Sequence, residues 1–445
     1  MKRETWVKAW AALAVSVALG ACGGDGGNNG GNNGGNGAGS GGGNGGAGTP
    51  SMPETPSTPG NPETPATPQA VTYLGVISFG DTLAVTLDAP AAGQVRIRFS
   101  DSAFGLAGAV IGHYVKNGNV YTVSALEADS AEPPPAFVTA LLGSVTASFT
   151  VSGTTLTGEI SGLPKQLGNG KLSGQVTASS VSTPVTAADL AGTYTFLRGQ
   201  STYYASSGNL QIQYGMGGQM RVGADGTVRL CQAGTYSDTC SMGLAGTLAL
   251  ADQTRYPGAY TLTLGGKVWG QVFPLKTNGV TALYLDHLQL DSAGNRMTGT
   301  GVFRPAQTLT ASQVAGQWVC RQPGVSYAAV TGLGISAALD GSMQEETLTI
   351  SGTGSVTSAG TGQVASLALN RANNLLGVSS PAAIPGTMYA DWTVPAVPPN
   401  TVTGLRTQVF MPLDENSMAY YAEVTSKPTD PRNWTFVVQG MCRKG

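Results

Sequence analysis

The chain has 445 residues, with 23 Lys and Arg against 25 Asp and Glu, a formal net charge of −2 and only 11% charged side chains, well under the roughly 25% usual for soluble domains. It has no basic cluster to neutralise phosphates, which argues against a nucleic-acid partner. Two histidines, with no zinc-type cysteine spacing and no phosphate-loop, calcium-loop, zincin or nucleophile-elbow pattern, give no metal ligand set, no cofactor and no assignable catalytic residue.

The chain opens on Lys2, Arg3 and Lys8 against a single acid, Glu4, followed by an apolar run from Ala9 to Leu19. That run is too short for a spanning helix, which needs about 20 apolar residues, and it fits the core of a secretory signal. It ends in Leu19-Gly20-Ala21-Cys22. This tetrad resembles the lipobox of bacterial lipoprotein precursors. The resemblance implies that residues 1–21 are a signal peptide, that the Cys22 thiol takes diacylglycerol and that a third acyl chain goes on the Cys22 amine. The membrane is then a partner through N-terminal lipid, and two or more chains hold where one holds only marginally. Gly23, not Asp, follows the cysteine, which by the same resemblance points to the outer membrane. The sequence leaves the face, periplasmic or extracellular, open.

Residues 22–70 read as a disordered tether, almost wholly Gly and Asn to residue 47 and then Pro, Thr, Ser and Glu. Neither part has the apolar side chains to offset the entropy of ordering its backbone. The first part is expected to behave as loose coil and the second as a stiffer spacer, with a reach on the order of tens of Å.

The rest of the chain is longer than one hydrophobic core usually serves. It reads as strand almost throughout, in short alternating runs such as TLAVTLD, QVRIRFS and SVTASFTVSG, with turns at Asn117-Gly118 and Ser152-Gly153. Brief helical turns are expected at Thr186–Leu190, Ala311–Val314 and Phe137–Leu142. The segment from Thr186 through Leu190 and Gly192 to Tyr194 recurs from Thr310 through Val314 and Gly316 to Trp318, as T-A-x-x-[LV]-A-G-x-[YW]. Such a turn can plug one end of a β-domain while its aromatic enters the core. The fold class is therefore all-β, with antiparallel barrel or sandwich domains in tandem at 71–185, 186–310 and 311–445. The first lacks the opening turn and reads as a sandwich or a partial barrel. The G-x-[YW] openings and the turn in GADGTVRLC at 223–231 faintly resemble lipocalin-like barrels, which implies a barrel or sandwich for the second and third domains.

Four cysteines follow Cys22, an even number that suits disulfides in an exported chain. Proximity pairs Cys231 with Cys240, leaving Cys320 for Cys442. The second bridge would set the first and last strands of the third domain side by side and contribute about 4–5 kcal/mol by loop entropy.

His113 and His287 are expected to be structural or surface groups, and Asp286 and His287, adjacent on a strand, to face opposite ways. The acids Asp286 and Asp291, Glu345 and Glu346 with Asp340, and Asp414 and Glu415 are the pairs that would permit a carboxylate-dependent polysaccharide hydrolase. Tyr203 with Tyr204, and Tyr420 with Tyr421, are the candidate ligand-binding residues, because one ring of each adjacent pair must face away from the other, and an outward Tyr beside polar neighbours suits carbohydrate or protein contact. They nominate 201–209 and 411–421 as recognition loops, with the Pro- and Gly-rich stretch 378–404 second. The function expected is non-enzymatic recognition of a glycan, an envelope protein or a host protein by an outer-membrane or surface-displayed lipoprotein. The rival readings are a periplasmic envelope-assembly subunit and the hydrolase.

Overall fold

A computed structural model describes residues 69–168, 170–180, 185–277, 279–330, 334–373, 381–394, 404–425 and 435–445. The segment expected to be a signal peptide, Cys22 and nearly all of the expected tether lie outside the described residues. The described chain is all-β, with three antiparallel meanders in tandem.

The first meander runs from the strand Val71–Ile77 to the strand Leu172–Ser180 and closes into an eight-stranded barrel through their pairing, Tyr73 opposite Ser180. It is closed, not a sandwich or a partial barrel, because Val71–Ile77 pairs on both edges. Alternation fixes its inside: Leu83, Val85 and Leu87 are buried, as are Val95, Ile97 and Phe99 on the next strand. The second meander, from Gly192–Tyr203 to Arg296–Pro305, closes the same way. The third is a nine-stranded sheet whose middle pairs Gly316–Val330 with Thr435–Lys444. Its two edges, Val364–Ser366 and Ala368–Ala372, are separated in sequence by Leu367 alone, so the sheet rolls round on itself and its opening falls there. Cys320 and Cys442 are direct cross-strand partners and are disulfide-bonded, as are Cys231 and Cys240.

The repeated sequence segment forms the same device twice. In the second barrel Asp189 accepts hydrogen bonds from the Thr186 N–H and hydroxyl, Leu190 enters the core, and the Tyr194 hydroxyl donates to the Leu190 carbonyl at 2.9 Å. In the third sheet Gln313 caps Thr310, Val314 enters the core, and the Trp318 indole N–H donates to the Val314 carbonyl, again at 2.9 Å. The aromatic thus ties the plug to the strand that leaves it. Ala311–Val314 is a short helix, whereas 187–190 is a turn closed by bonds from Asp189 and Leu190 three residues back. The helix expected over Phe137–Leu142 is the shorter Ala136–Thr139, followed by a 3-10 turn at Leu142–Ser144.

Outside their own cores, the three units share a fourth. Leu74 and Val76 of the first barrel, Leu197, Phe273, Leu275 and Val302 of the second, and Val409, Met411 and Val437 of the third pack together. The strand Val71–Ile77 therefore sends Tyr73 and Ile77 inward and Leu74 and Val76 into the junction. Polar seams border this core. The Thr300 hydroxyl donates to the Gln439 amide oxygen at 2.6 Å, Gln439 donates back to the Thr300 carbonyl at 2.9 Å, and the Thr298 hydroxyl donates to the Gly80 carbonyl at 2.8 Å.

Asp286 is sealed into the seam between the first two barrels, where it accepts a 2.6 Å hydrogen bond from the Thr82 hydroxyl. Burial pushes its carboxyl up to about 7. Asp81, buried nearby, is also pushed well up, by burial and then by the charge of Asp286. The unfolded chain ionises Asp286 near the ordinary carboxylate value of 3.8. Its contribution to stability is therefore complete below that pH and is lost as pH rises toward 7. Asp286→Asn should raise stability at pH 8 by about 1–3 kcal/mol and flatten the decline between pH 4 and 7, measured by urea unfolding across pH. Tyr194→Phe, which deprives the buried Leu190 carbonyl of its ring donor, should cost about 1–3 kcal/mol in the same assay.

Candidate functional site

Three of the four nominated tyrosines are buried. Tyr203 reaches out of its own barrel and packs edge-on against Phe104 of the first, with ring centroids 5.1 Å apart. Tyr420 lies in the core of the third sheet and donates its hydroxyl to the Gln322 amide oxygen at 2.9 Å. Tyr421 points the other way, into the shared core, where its ring rests on Gly215 so closely that a Cβ there would come within 2.8 Å of it. The rings of Tyr420 and Tyr421 do oppose each other, but the outer face of that strand meets another barrel instead of water. Tyr204 alone is exposed, at 45%.

The second-choice stretch 378–404 falls partly outside the described residues. Most of its described part is the strand Ala382–Val394, which pairs with Ala368–Ala372 on one side, across a break in register, and with Gly404–Pro412 on the other, so it is neither a loop nor the edge of the sheet.

The acidic pairs separate. Asp286 is sealed in its seam, whereas the Asp291 carboxylate caps its own turn with Asn295. Glu346 binds Arg406 at 2.6 Å, Glu345 meets Arg321 at 3.3 Å, and Asp340 accepts from Ser342. Asp414 accepts the Asn416 N–H in the turn that also carries Glu415. His113 is exposed, and His287 lies inside the second barrel, on the opposite face of its strand from Asp286. Among the described residues no cluster of three or more His, Cys, Asp or Glu is arranged to hold a metal ion.

A cleft of about 660 Å³ lies where the three units meet, within the range of small-ligand sites. Its composition follows from strand alternation. In the first barrel Ala147, Phe149, Leu156 and Val176 point inward, so Ser148, Thr150, Ser152, Thr155, Thr157 and Thr177 point out and line one wall. In the third sheet Cys320 and Cys442 are inward, which turns Arg321 and Arg443 outward into the opposite wall. The second barrel adds Lys276 and Tyr284, and the tight turn at Asp414 completes the rim.

The charges are unevenly committed. Arg321 is held between Glu159 at 3.0 Å and Glu345 at 3.3 Å. Arg443 donates to the Thr157 hydroxyl across the junction, and Lys276 is exposed. The Tyr284 hydroxyl is pushed up by burial and then by Asp414, so it stays protonated and able to donate. The site thus offers hydroxyls, two exposed cations and one aromatic hydroxyl, with both of its carboxylates engaged.

Of the cleft residues, the sequence singled out only those of the nominated loop 411–421, among them Asp414 and Ser417. The Ser and Thr runs carry the outward half of the signal, but nothing local marks which outward face will meet Arg321 and Arg443.

No known protein family and no curated protein matches the chain. Among solved structures, it is similar to a protein of unknown function of the DUF3598 family from Nostoc punctiforme, at 12% identity over 57% of this chain and 96% of that one, with a TM-score of 0.20. It is also similar to intact Ap-TbpB, with its N and C lobes, at 9% identity over 84% of this chain and 77% of that one, with a TM-score of 0.21. At these TM-scores neither carries function to this chain.

The burial pattern separates structural from exposed tyrosines. Tyr420→Ala and Tyr421→Ala should each destabilise the protein by about 3–5 kcal/mol, whereas Tyr204→Ala should stay within about 0.5 kcal/mol of the parent, as read by chemical denaturation.

Proposed function

We propose that this protein is a lipid-anchored, non-enzymatic recognition protein of the outer membrane, and that the junction cleft takes a hydroxyl-rich ligand bearing carboxylate, of the kind an acidic glycan presents. The cleft itself carries this reading: eight Ser and Thr side chains line a space of about 660 Å³ together with two uncommitted or lightly committed cations, Lys276 and Arg443. Hydroxyls and amides exchange hydrogen bonds with sugar hydroxyls at little desolvation cost. The cations supply charge-assisted bonds to a carboxylate, which are roughly twice as strong as neutral ones. Tyr284 adds an amphipathic ring with its donor retained.

A hydrolase has less support: the two carboxylates of the cleft are Glu159, ion-paired with Arg321, and Asp414, which accepts a backbone N–H of its own turn, whereas such an enzyme needs one carboxyl held protonated as general acid. Lipid at Cys22 and the tether would then separate anchoring from recognition, with the cleft built wholly from the folded body.

The test is titration of the mature chain with acidic and neutral oligosaccharides. Saturable binding of an acidic oligosaccharide is expected, with Lys276→Ala and Arg443→Ala each weakening it about tenfold and neutral analogues binding less well. Unchanged affinity in the double variant would sink the cleft as the site. Cys22→Ser should shift the protein from the membrane to the soluble fraction. Protease treatment of intact cells should remove the folded body if it is displayed outward and spare it if it faces the periplasm.

A further inference from the structure

The lumen of the second barrel contains a buried cation with no counter-charge. The inward side chains of Gly192–Tyr203 begin with Tyr194 and Phe196 above the plug and continue with Arg198 and Gln200. Arg198 is 2% exposed, yet it belongs to none of the ion pairs among the described residues. Its guanidinium lies over the Trp269 ring at 4.2 Å and donates one bond, from Nη2 to the Gln200 amide oxygen, while its Nε–H is left without a partner. His287 is 0% exposed beside the same ring, edge-on at 5.7 Å, and its imidazole has no side-chain hydrogen-bond partner, its one polar contact being a poorly aligned one with the Trp269 backbone. Its cross-strand neighbours on both sides are glycines, Gly270 and Gly299, which put no side chain next to the imidazole.

These unmet groups converge. The charge of Arg198 acts on His287 and on the half-buried Tyr214. A buried guanidinium with an unmet donor and no counter-charge, beside a buried imidazole, is costly to hold, and hydrophobic residues of similar volume would remove that cost. Burial lowers Arg198 to about 10, so it remains charged at neutral pH. What the cluster lacks is an acceptor bearing negative charge.

We propose that the lumen of the second barrel, at the end opposite its plug, binds one carboxylate, accepted between the Nε–H of Arg198 and a ring N–H of His287 and packed against Trp269. A planar carboxylate matches the guanidinium fork. The remainder of the ligand would leave past Tyr214 toward Ile212, which is 54% exposed on the adjoining stretch of strand. This site is built entirely within one barrel and is independent of the junction cleft.

The experiment is calorimetric titration of the full mature chain, and thermal unfolding, with acetate, butyrate and a longer alkyl carboxylate, alongside sulfate and chloride. Saturable binding of at least one carboxylate is expected, with a rise in Tm and a change in tryptophan fluorescence. Arg198→Met should weaken binding at least 100-fold while leaving the ligand-free protein as stable as the parent or more so. His287→Phe should weaken it at least tenfold, and it carries the test if Arg198→Met does not fold. Absence of any saturable anion binding overturns the proposal, as does parent-like affinity in either folded variant. Binding of sulfate or chloride without carboxylates overturns the ligand class.

Discussion

A strand in a lone barrel needs only one apolar face, but in this molecule several strands must satisfy two. Leu74 and Val76, Leu197 and Val302, and Val409 and Tyr421 all lie on the outer faces of their sheets, and they form one core together. Two-sided burial removes the freedom that an outer β face normally has. It brings Gly215 and Gly199 against Tyr421 and Gln439, where any Cβ would collide with the partner side chain. It also isolates Asp286 from solvent and fixes the walls of the junction cleft. The cleft is thus a by-product of docking. It exists because the shared apolar core stops short and the outward Ser, Thr and Arg positions beyond it face one another across water.

Each of the last two units solves its end-closure problem with the same few atoms. An aromatic two residues after a glycine donates to the carbonyl four residues before it, so the plug and the first strand are one hydrogen-bonded unit. That the second version uses Trp318 and Gln313 where the first uses Tyr194 and Asp189 shows what the device requires: a ring donor, a capping acceptor and an apolar plug residue.

Much of the fold was legible because its determinants are local. Alternating apolar residues defined strands, Asn117-Gly118 marked a hairpin that the structure contains, and the duplicated segment pointed to a shared opening device. The cysteine pairing followed from the closeness of Cys231 and Cys240 in sequence, which left Cys320 for Cys442. The candidate site was legible only at its rim, in the loop 411–421. Tyr203, Tyr420 and Tyr421 obey the alternation rule and are still buried, because that rule gives the direction of a side chain and not what lies in that direction. The same limit hid Arg198, an ordinary arginine in sequence whose isolation is a property of the closed lumen.

The junction core has a consequence for the order in which this chain can mature. The first two barrels are contiguous in sequence and can close as each is completed, but the strands that bring Val409, Met411, Tyr421 and Val437 come last. Until those strands arrive, the outward Leu74, Val76, Phe273 and Leu275 remain uncovered on barrels that are otherwise finished. During that interval the nascent protein displays a sticky surface of the kind that draws chaperones or misassembled neighbours. Premature arrest of synthesis would therefore leave the earlier barrels well closed and yet prone to associate.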